Sequence, residues 1–224
     1  MPLWSRDGRR IVFSAFHNGV LDLYQKSASG ADAGTLLLQS AQNKAAYTWS
    51  PDGRFLVYGT RHPVTGMDLW VLPMGGQGKP FPFLTSRFDE RWAQISHDGK
   101  WIAYQSNETG MNEIYVRAFP GPGGQWSVST SGGITPLWRA DGKELYFIAP
   151  NGTLMAAPMT VRGGALQPGP PTALFRTQIV YRGVSPIGAG RQYDVAPDGR
   201  FLLNVSTADA SSSAITILVN WHDR

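Results

Sequence analysis

Thr48-Trp49-Ser50-Pro51-Asp52-Gly53-Arg54-Phe55-Leu56-Val57-Tyr58 decides how this chain folds, because the pattern recurs. It returns as Leu3-Trp4-Ser5-Arg6-Asp7-Gly8-Arg9, Gln94-Ile95-Ser96-His97-Asp98-Gly99-Lys100, Leu137-Trp138-Arg139-Ala140-Asp141-Gly142-Lys143 and Asp194-Val195-Ala196-Pro197-Asp198-Gly199-Arg200. Five of the twelve aspartates fall in this one context, at positions 7, 52, 98, 141 and 198, spaced by 45, 46, 43 and 57 residues. Asp-Gly suits a tight hairpin turn, since Gly accepts positive φ and the Asp side chain hydrogen-bonds nearby backbone. A Lys or Arg follows each Gly and starts the return strand with a solvated charge. Three residues before each Asp stands Trp4, Trp49, Ile95, Trp138 or Val195, an apolar side chain expected to pack between neighbouring sheets. After the turn, Phe55, Val57 and Gly59 alternate with Leu56 and Tyr58. Both faces are therefore apolar, as in a sheet covered on each side.

A second signature follows 14 to 17 residues later: Leu21-Asp22-Leu23-Tyr24, Met67-Asp68-Leu69-Trp70 and Asn112-Glu113-Ile114-Tyr115. Thr153-Leu154-Met155 and Ala214–Val219 fill the slot in the last two repeats. Weaker apolar runs, Leu36–Leu38, Phe83–Thr85 and Trp126–Val128, supply a fourth strand. Four strands in about 45 residues, repeated, are the pattern of a β-propeller blade. We expect an all-β single propeller of four-stranded antiparallel blades over 1–224, with repeats near 1–45, 46–91, 92–134, 135–191 and 192–224. About five repeats, the first opening inside a motif, lead us to expect part of a larger propeller of six or more blades. A ring closed by self-association is the alternative.

Composition agrees with this reading. Of the 224 residues, 26 are Gly and 16 Pro, and 16% are charged against about 25% in an ordinary soluble domain. Long helices need Ala, Leu, Glu and Lys, so a helical bundle is excluded, while 42% hydrophobic residues exclude wholesale disorder. The net charge of +4 comes with no basic tract, which argues against nucleic acid as a partner. There is no Cys, hence no disulfide, thiol nucleophile or thiolate-bound metal. No run of 18 apolar residues spans a membrane, and the N-terminal residues lack signal-peptide character.

The Trp-Ser-Pro-Asp-Gly element paired with Asp-Leu-Trp resembles the WD-like repeat of TolB-type propellers, over nearly the whole chain. Asp89-Glu90-Arg91-Trp92 through Ser106-Asn107-Glu108-Thr109-Gly110 to Glu113-Ile114-Tyr115-Val116-Arg117 is similar to the C-terminal propeller attached to bacterial serine/threonine kinases. So are Phe119-Pro120-Gly121-Pro122-Gly123-Gly124 and Gln192–Val195 with Leu218–Trp221. The resemblance implies a periplasmic or extracytoplasmic sensor or interaction module without catalysis of its own. No kinase signature occurs in the chain: no Gly-rich phosphate loop, no H-R-D and no D-F-G.

Propellers bind at the channel and through the loops of one face. The face opposite the Asp-Gly turns carries His17-Asn18, Arg61-His62, Asp89-Glu90-Arg91, Asn107-Glu108 and Tyr181-Arg182. Asp89, Glu90 and Arg91, just before an inner strand, are the leading candidates for contact with a protein or small ligand; an inter-blade ion pair is the alternative. Arg61, His62, Asn107, Glu108, Tyr181 and Arg182 complete the candidate surface. The Asp-Gly aspartates read as turns, since calcium needs six to eight oxygens at one point and separate blades do not converge. The histidines at 17, 62, 97 and 222 lack zinc spacing, so we expect no metal and no cofactor. The extra dozen residues in the last spacing fall near Arg176–Arg191, a loop long enough to carry function. Two enzymatic alternatives remain: a calcium-dependent lactonase-type propeller using Asn107, Glu108, Asn112 and Glu113, and the gating propeller of a prolyl-oligopeptidase-like peptidase.

Overall fold

In the computed structural model of the chain, residues 2–76, 78–177, 179 and 191–205 are described. Every regular element among them is a β-strand. The first sheet holds β1 (Leu3–Trp4), β2 (Arg10–His17), β3 (Val20–Ser27) and β4 (Thr35–Leu38), paired in that order and antiparallel throughout. The second holds β5 (Lys44–Trp49), β6 (Phe55–His62), β7 (Gly66–Pro73) and β8 (Phe81–Leu84). The third holds β9 (Glu90–Ile95), β10 (Trp101–Ser106), β11 (Glu113–Ala118) and β12 (Gln125–Ser127). In the fourth, β13 (Ile134–Trp138) and β14 (Glu144–Ile148) lead to a long β15 (Thr153–Arg162). The far half of β15 pairs with β16 (Ala165–Pro168) and its near half with β17 (Thr172–Arg176). Of the fifth sheet, β18 (Tyr193–Val195) and β19 (Phe201–Leu203) are described, flanked by a bridge from Ile179 to Val205. This is the blade architecture expected from the repeat; Ala214–Val219 lie outside the described residues.

The turn that punctuates each blade has a common hydrogen-bond scheme. In the second sheet, Ser50 N donates to Phe55 O at 2.8 Å and Gly53 N to Ser50 O at 2.9 Å. Asp52 Oδ1 accepts from Ser50 Oγ (2.6 Å) and Arg54 N (3.0 Å), and Ser50 Oγ accepts from Phe55 N (2.9 Å). Ser5/Asp7 and Ser96/Asp98 repeat the arrangement. The serine two places before the Asp thus holds both ends of the turn. Where Arg139 and Ala196 replace it, the serine bonds are lost, while the main-chain bonds of the turn and the Asp-to-backbone bond persist. Gly53 has φ 70°, a left-handed conformation that strains any residue with a Cβ.

Apolar packing runs between sheets, as a two-faced strand pattern requires. Val12 and Leu23 of the first sheet pack with Trp49 and Leu56 of the second. Val57 and Leu69 pack with Ile95 and Tyr104 of the third, Ala103 and Ile114 with Trp138 of the fourth, and Leu137 and Tyr146 with Tyr193 of the fifth. Each fully buried Leu, Ile or Val in these layers contributes on the order of 2 kcal/mol relative to exposure. Successive first strands, β1, β5, β9 and β13, touch one another. The fourth strands β4, β8 and β12 form no such succession among themselves, so the first strands line the axis. Trp49, Ile95 and Trp138 are buried as expected, but Trp4 is 56% exposed. The reason is positional: this side chain packs on the sheet before its own, and β1 belongs to the first described sheet.

Candidate functional site

The axial strands are not regular. Pairing slips beside Tyr47 in β5, Trp92 in β9 and Thr135 in β13. Each is a β-bulge, a device that turns a strand and re-aims a side chain. Trp92 (φ 54°) and Thr135 (φ 52°) adopt left-handed backbone there, which costs about 1–3 kcal/mol for non-glycine residues. Tyr47 reaches over Gly59, where an added Cβ would meet its ring at 2.7 Å, and its centroid lies 5.8 Å from that of Trp92. The Gly in Tyr58-Gly59-Thr60 therefore makes room for an aromatic of the axial strand. Tyr47 also lines a cavity of about 470 Å³ that it shares with Pro2 and Leu3 of the first sheet and Arg191, Tyr193 and Leu202 of the fifth.

At the same end of the strands lie most of the candidate residues. Asp89 and Arg91 form a two-pronged ion pair, with Arg91 Nε donating to Asp89 Oδ1 at 2.5 Å and Nη2 to Oδ2. Asp89 Oδ1 also accepts from Met67 N of the second sheet (3.3 Å), and Asp89 N donates to Asn107 Oδ1 (2.9 Å). Asp89, Arg91 and Asn107 are thus brought together, in a clasp joining the second sheet to the third. Between them in sequence, Glu90 turns inward and is only 1% exposed. Glu108 Oε1 faces outward and accepts from Gln125 Nε2 at 2.8 Å, and Gln125 Oε1 accepts from Tyr104 OH at 2.8 Å. His62 Nδ1 accepts from Val64 N and Thr65 N of its own hairpin, both at 3.3 Å, and the Arg61 side chain is exposed. Tyr181 and Arg182 lie outside the described residues, as do His222 and most of the long stretch ahead of Arg191.

Sequence reasoning named Glu90 and Glu113 among its candidates but did not show that they are buried together with Asp22 and Asp68. The acid opening each third strand is buried: Asp22 1%, Asp68 6% and Glu113 3% exposed. Asp22 Oδ1 accepts from Lys44 Nζ at 2.6 Å. Glu113 accepts from Ser129 Oγ and from Gly132 N (2.8 Å). Asp68 has only Thr65 Oγ1, at 3.3 Å, and faces Glu90 across the sheet boundary. Burial pushes the Asp68 carboxyl up. Burial, opposed by the Ser86 hydroxyl and reinforced by Asp68, Asp89 and Glu108, pushes Glu90 up to about 7. Glu90 Oε2 has no hydrogen-bond partner. The signal was available in the repeat alignment, where Lys44 and Glu90 occupy the same place. Among the described residues, no three His, Asp or Glu side chains converge as metal ligands.

No family model matches the chain, and no curated protein matches it significantly. Solved structures do resemble it. A TolB-type protein from Agrobacterium tumefaciens superposes with a TM-score of 0.61 at 19% identity, over 77% of this chain and 64% of that one. TolB from Acinetobacter baumannii gives 0.60 at 20% identity, over 89% and 52%. A puromycin-hydrolysing peptidase from Mycobacterium tuberculosis gives 0.62 at 21% identity, over 91% and 34%. The chain spans less than two thirds of the length of each of these three. At this identity the likeness establishes the fold, a TolB-like β-propeller.

Proposed function

We propose that this chain is a non-catalytic binding module, in which rigid blades hold loops and a channel mouth against a protein or small ligand. One observation carries the reading. Asp89, Arg91 and Asn107 gather at the end of the axial strands, with bulged Tyr47 and Trp92 and an open cavity beside them. Bulges and strained backbone concentrate where a fold is built to present side chains. The likeness to TolB structures supports an extracytoplasmic module of a bacterial envelope or signalling protein. The similarity to kinase-attached propellers makes such a receptor the natural parent. Because a peptidase structure superposes equally well, a gating propeller is the second reading; its hydrolase would lie in a separate domain.

Arg54 and Arg61 test the assignment, since both are exposed and stand toward opposite ends of β6. A photo-cross-linking residue placed at Arg61 is expected to give a discrete adduct in bacterial cells, and the same residue at Arg54 none. Adducts from Arg54 alone, or from neither site, overturn the loop-face reading. Peptide hydrolysis by a longer natural chain would move the balance to the peptidase reading.

A further inference from the structure

We propose that Arg191 anchors a carboxylate-binding pocket at the channel mouth, filled by an organic acid or by a peptide's C-terminal carboxylate. The inference rests on reading this end of the propeller as the binding end, and it specifies the ligand chemistry. Arg191 stands just ahead of β18 and lines the cavity of about 470 Å³. That size lies within the range of about 300–1,000 Å³ common for small-molecule sites. Its Nε is shielded from water and meets no acceptor, and no carboxylate among the described residues pairs with it. Desolvation pulls the guanidinium below its ordinary range, against the weaker opposing influence of Tyr193 and Asp194. Four other arginines are paired with an acid: Arg54 with Asp52, Arg91 with Asp89, Arg139 with Glu144, and Arg200 with Asp198.

The polar neighbours in the wall are engaged elsewhere. Asn204 Nδ2 donates to Gln192 Oε1 at 2.7 Å, and Tyr193 OH donates to Thr135 O at 2.6 Å. Asp194 Oδ1 accepts from Val195 N at 2.9 Å, inside its own strand. A half-buried guanidinium with a shielded, unpartnered Nε gains from a bound anion, which offsets its desolvation. Its planar fork matches a carboxylate through two parallel hydrogen bonds. A single guanidinium with Asp194 at the rim suits a monoanion better than a phosphate. Pro2, Leu3, Tyr47 and the 75% exposed Leu202 supply an apolar wall, so the ligand carries an apolar body beside its carboxylate.

The test is calorimetric titration of the whole chain with N-acetylphenylalanine, with a short peptide ending in free phenylalanine, and with the amides of both. Saturable binding of the small acid, the peptide or both is expected, each at least about tenfold tighter than its amide, about 1.4 kcal/mol. Which of the two free acids binds tells the organic-acid source from the peptide source. Arg191→Gln, checked to melt like the native chain, is expected to abolish the preference for the acid, and Arg191→Lys to keep part of it. Equal binding of acid and amide, native affinity in R191Q, or no binding of any probe at millimolar concentration overturns the proposal. Cross-linking from Arg61 reads out the binding face independently, so its persistence in R191Q would leave that reading standing while the pocket falls.

Discussion

The junction between the first and second sheets and that between the second and third share one frame and differ in charge. Asn43 Oδ1 accepts from Leu21 N at 2.8 Å, and Asp89 Oδ1 accepts from Met67 N in the equivalent place. Ser40 Oγ accepts from Gln42 N, as Ser86 Oγ does from Phe88 N. At the first residue of the axial strand the two part. Lys44, 1% exposed, donates to Asp22 Oδ1 at 2.6 Å, Gln42 O at 2.7 Å and Ser40 O at 3.3 Å, using all three ammonium protons. Burial alone would raise Asp22, but the bonds from Lys44 and Ser40 N, with the charges of Lys44 and His17, outweigh it and hold the carboxyl low. Glu90 meets Asp68 instead, carboxylate against carboxylate, with Ser86 as its one donor. The same backbone therefore builds one permanently paired junction and one that relaxes by taking up a proton.

Removing the cation at the paired junction should have the largest effect. Lys44→Met strands Asp22 in the interior and is expected to destabilise the chain by about 3–5 kcal/mol in urea melts; a melt like the native one breaks the comparison. Next comes Glu90. Its carboxyl titrates near 4.5 when unfolded and near 7 when folded, so between those values the folded chain keeps a proton the unfolded chain has lost. Stability from this group is unpenalised below pH 4.5, falls as pH rises, and is lower by about 3 kcal/mol above pH 7. Glu90→Gln should therefore stabilise the chain in alkaline buffer and change little in acid; an equal effect at both ends of a pH series would refute proton uptake by Glu90. Smaller again is the clasp common to both junctions: Asn43→Ala should cost about 1 kcal/mol at any pH. Thr65→Val, which removes the hydroxyl beside Asp68, should cost less than about 1 kcal/mol and shows up best where Asp68 is ionised.

Much of the molecule was legible beforehand because turn chemistry is local. An Asp-Gly pair followed by a cation needs nothing distant to form its bend, so five turns and the strands leaving them could be read directly. Trp49 and Trp138 were legible as interior residues for a related reason, since a large apolar side chain at a repeated position has to be covered by the neighbouring repeat. Trp4 shows where that inference stops, because coverage depends on which sheet comes before. The candidate site was less legible. Asp89 and Arg91 could be read as flanking the start of an inner strand, whereas the inward turn of Glu90 depends on strand register, in which adjacent residues point to opposite faces. Arg191 was legible only as one cation at the end of a long loop, because its isolation is a property of space, not of sequence neighbours.

What the amino-acid sequence determined by itself is the blade: its length, its turns, its four strands and its two apolar faces, all set by interactions a few residues long. What only the tertiary structure decided is how charges meet across blades, pairing Lys44 with Asp22, setting Glu90 against Asp68 and leaving Arg191 in an open cavity. Local bonding fixes each repeat because its partners are adjacent in the chain. Burial and charge pairing between repeats depend on side chains more than twenty residues apart reaching one point, and only the packed sheets bring them there.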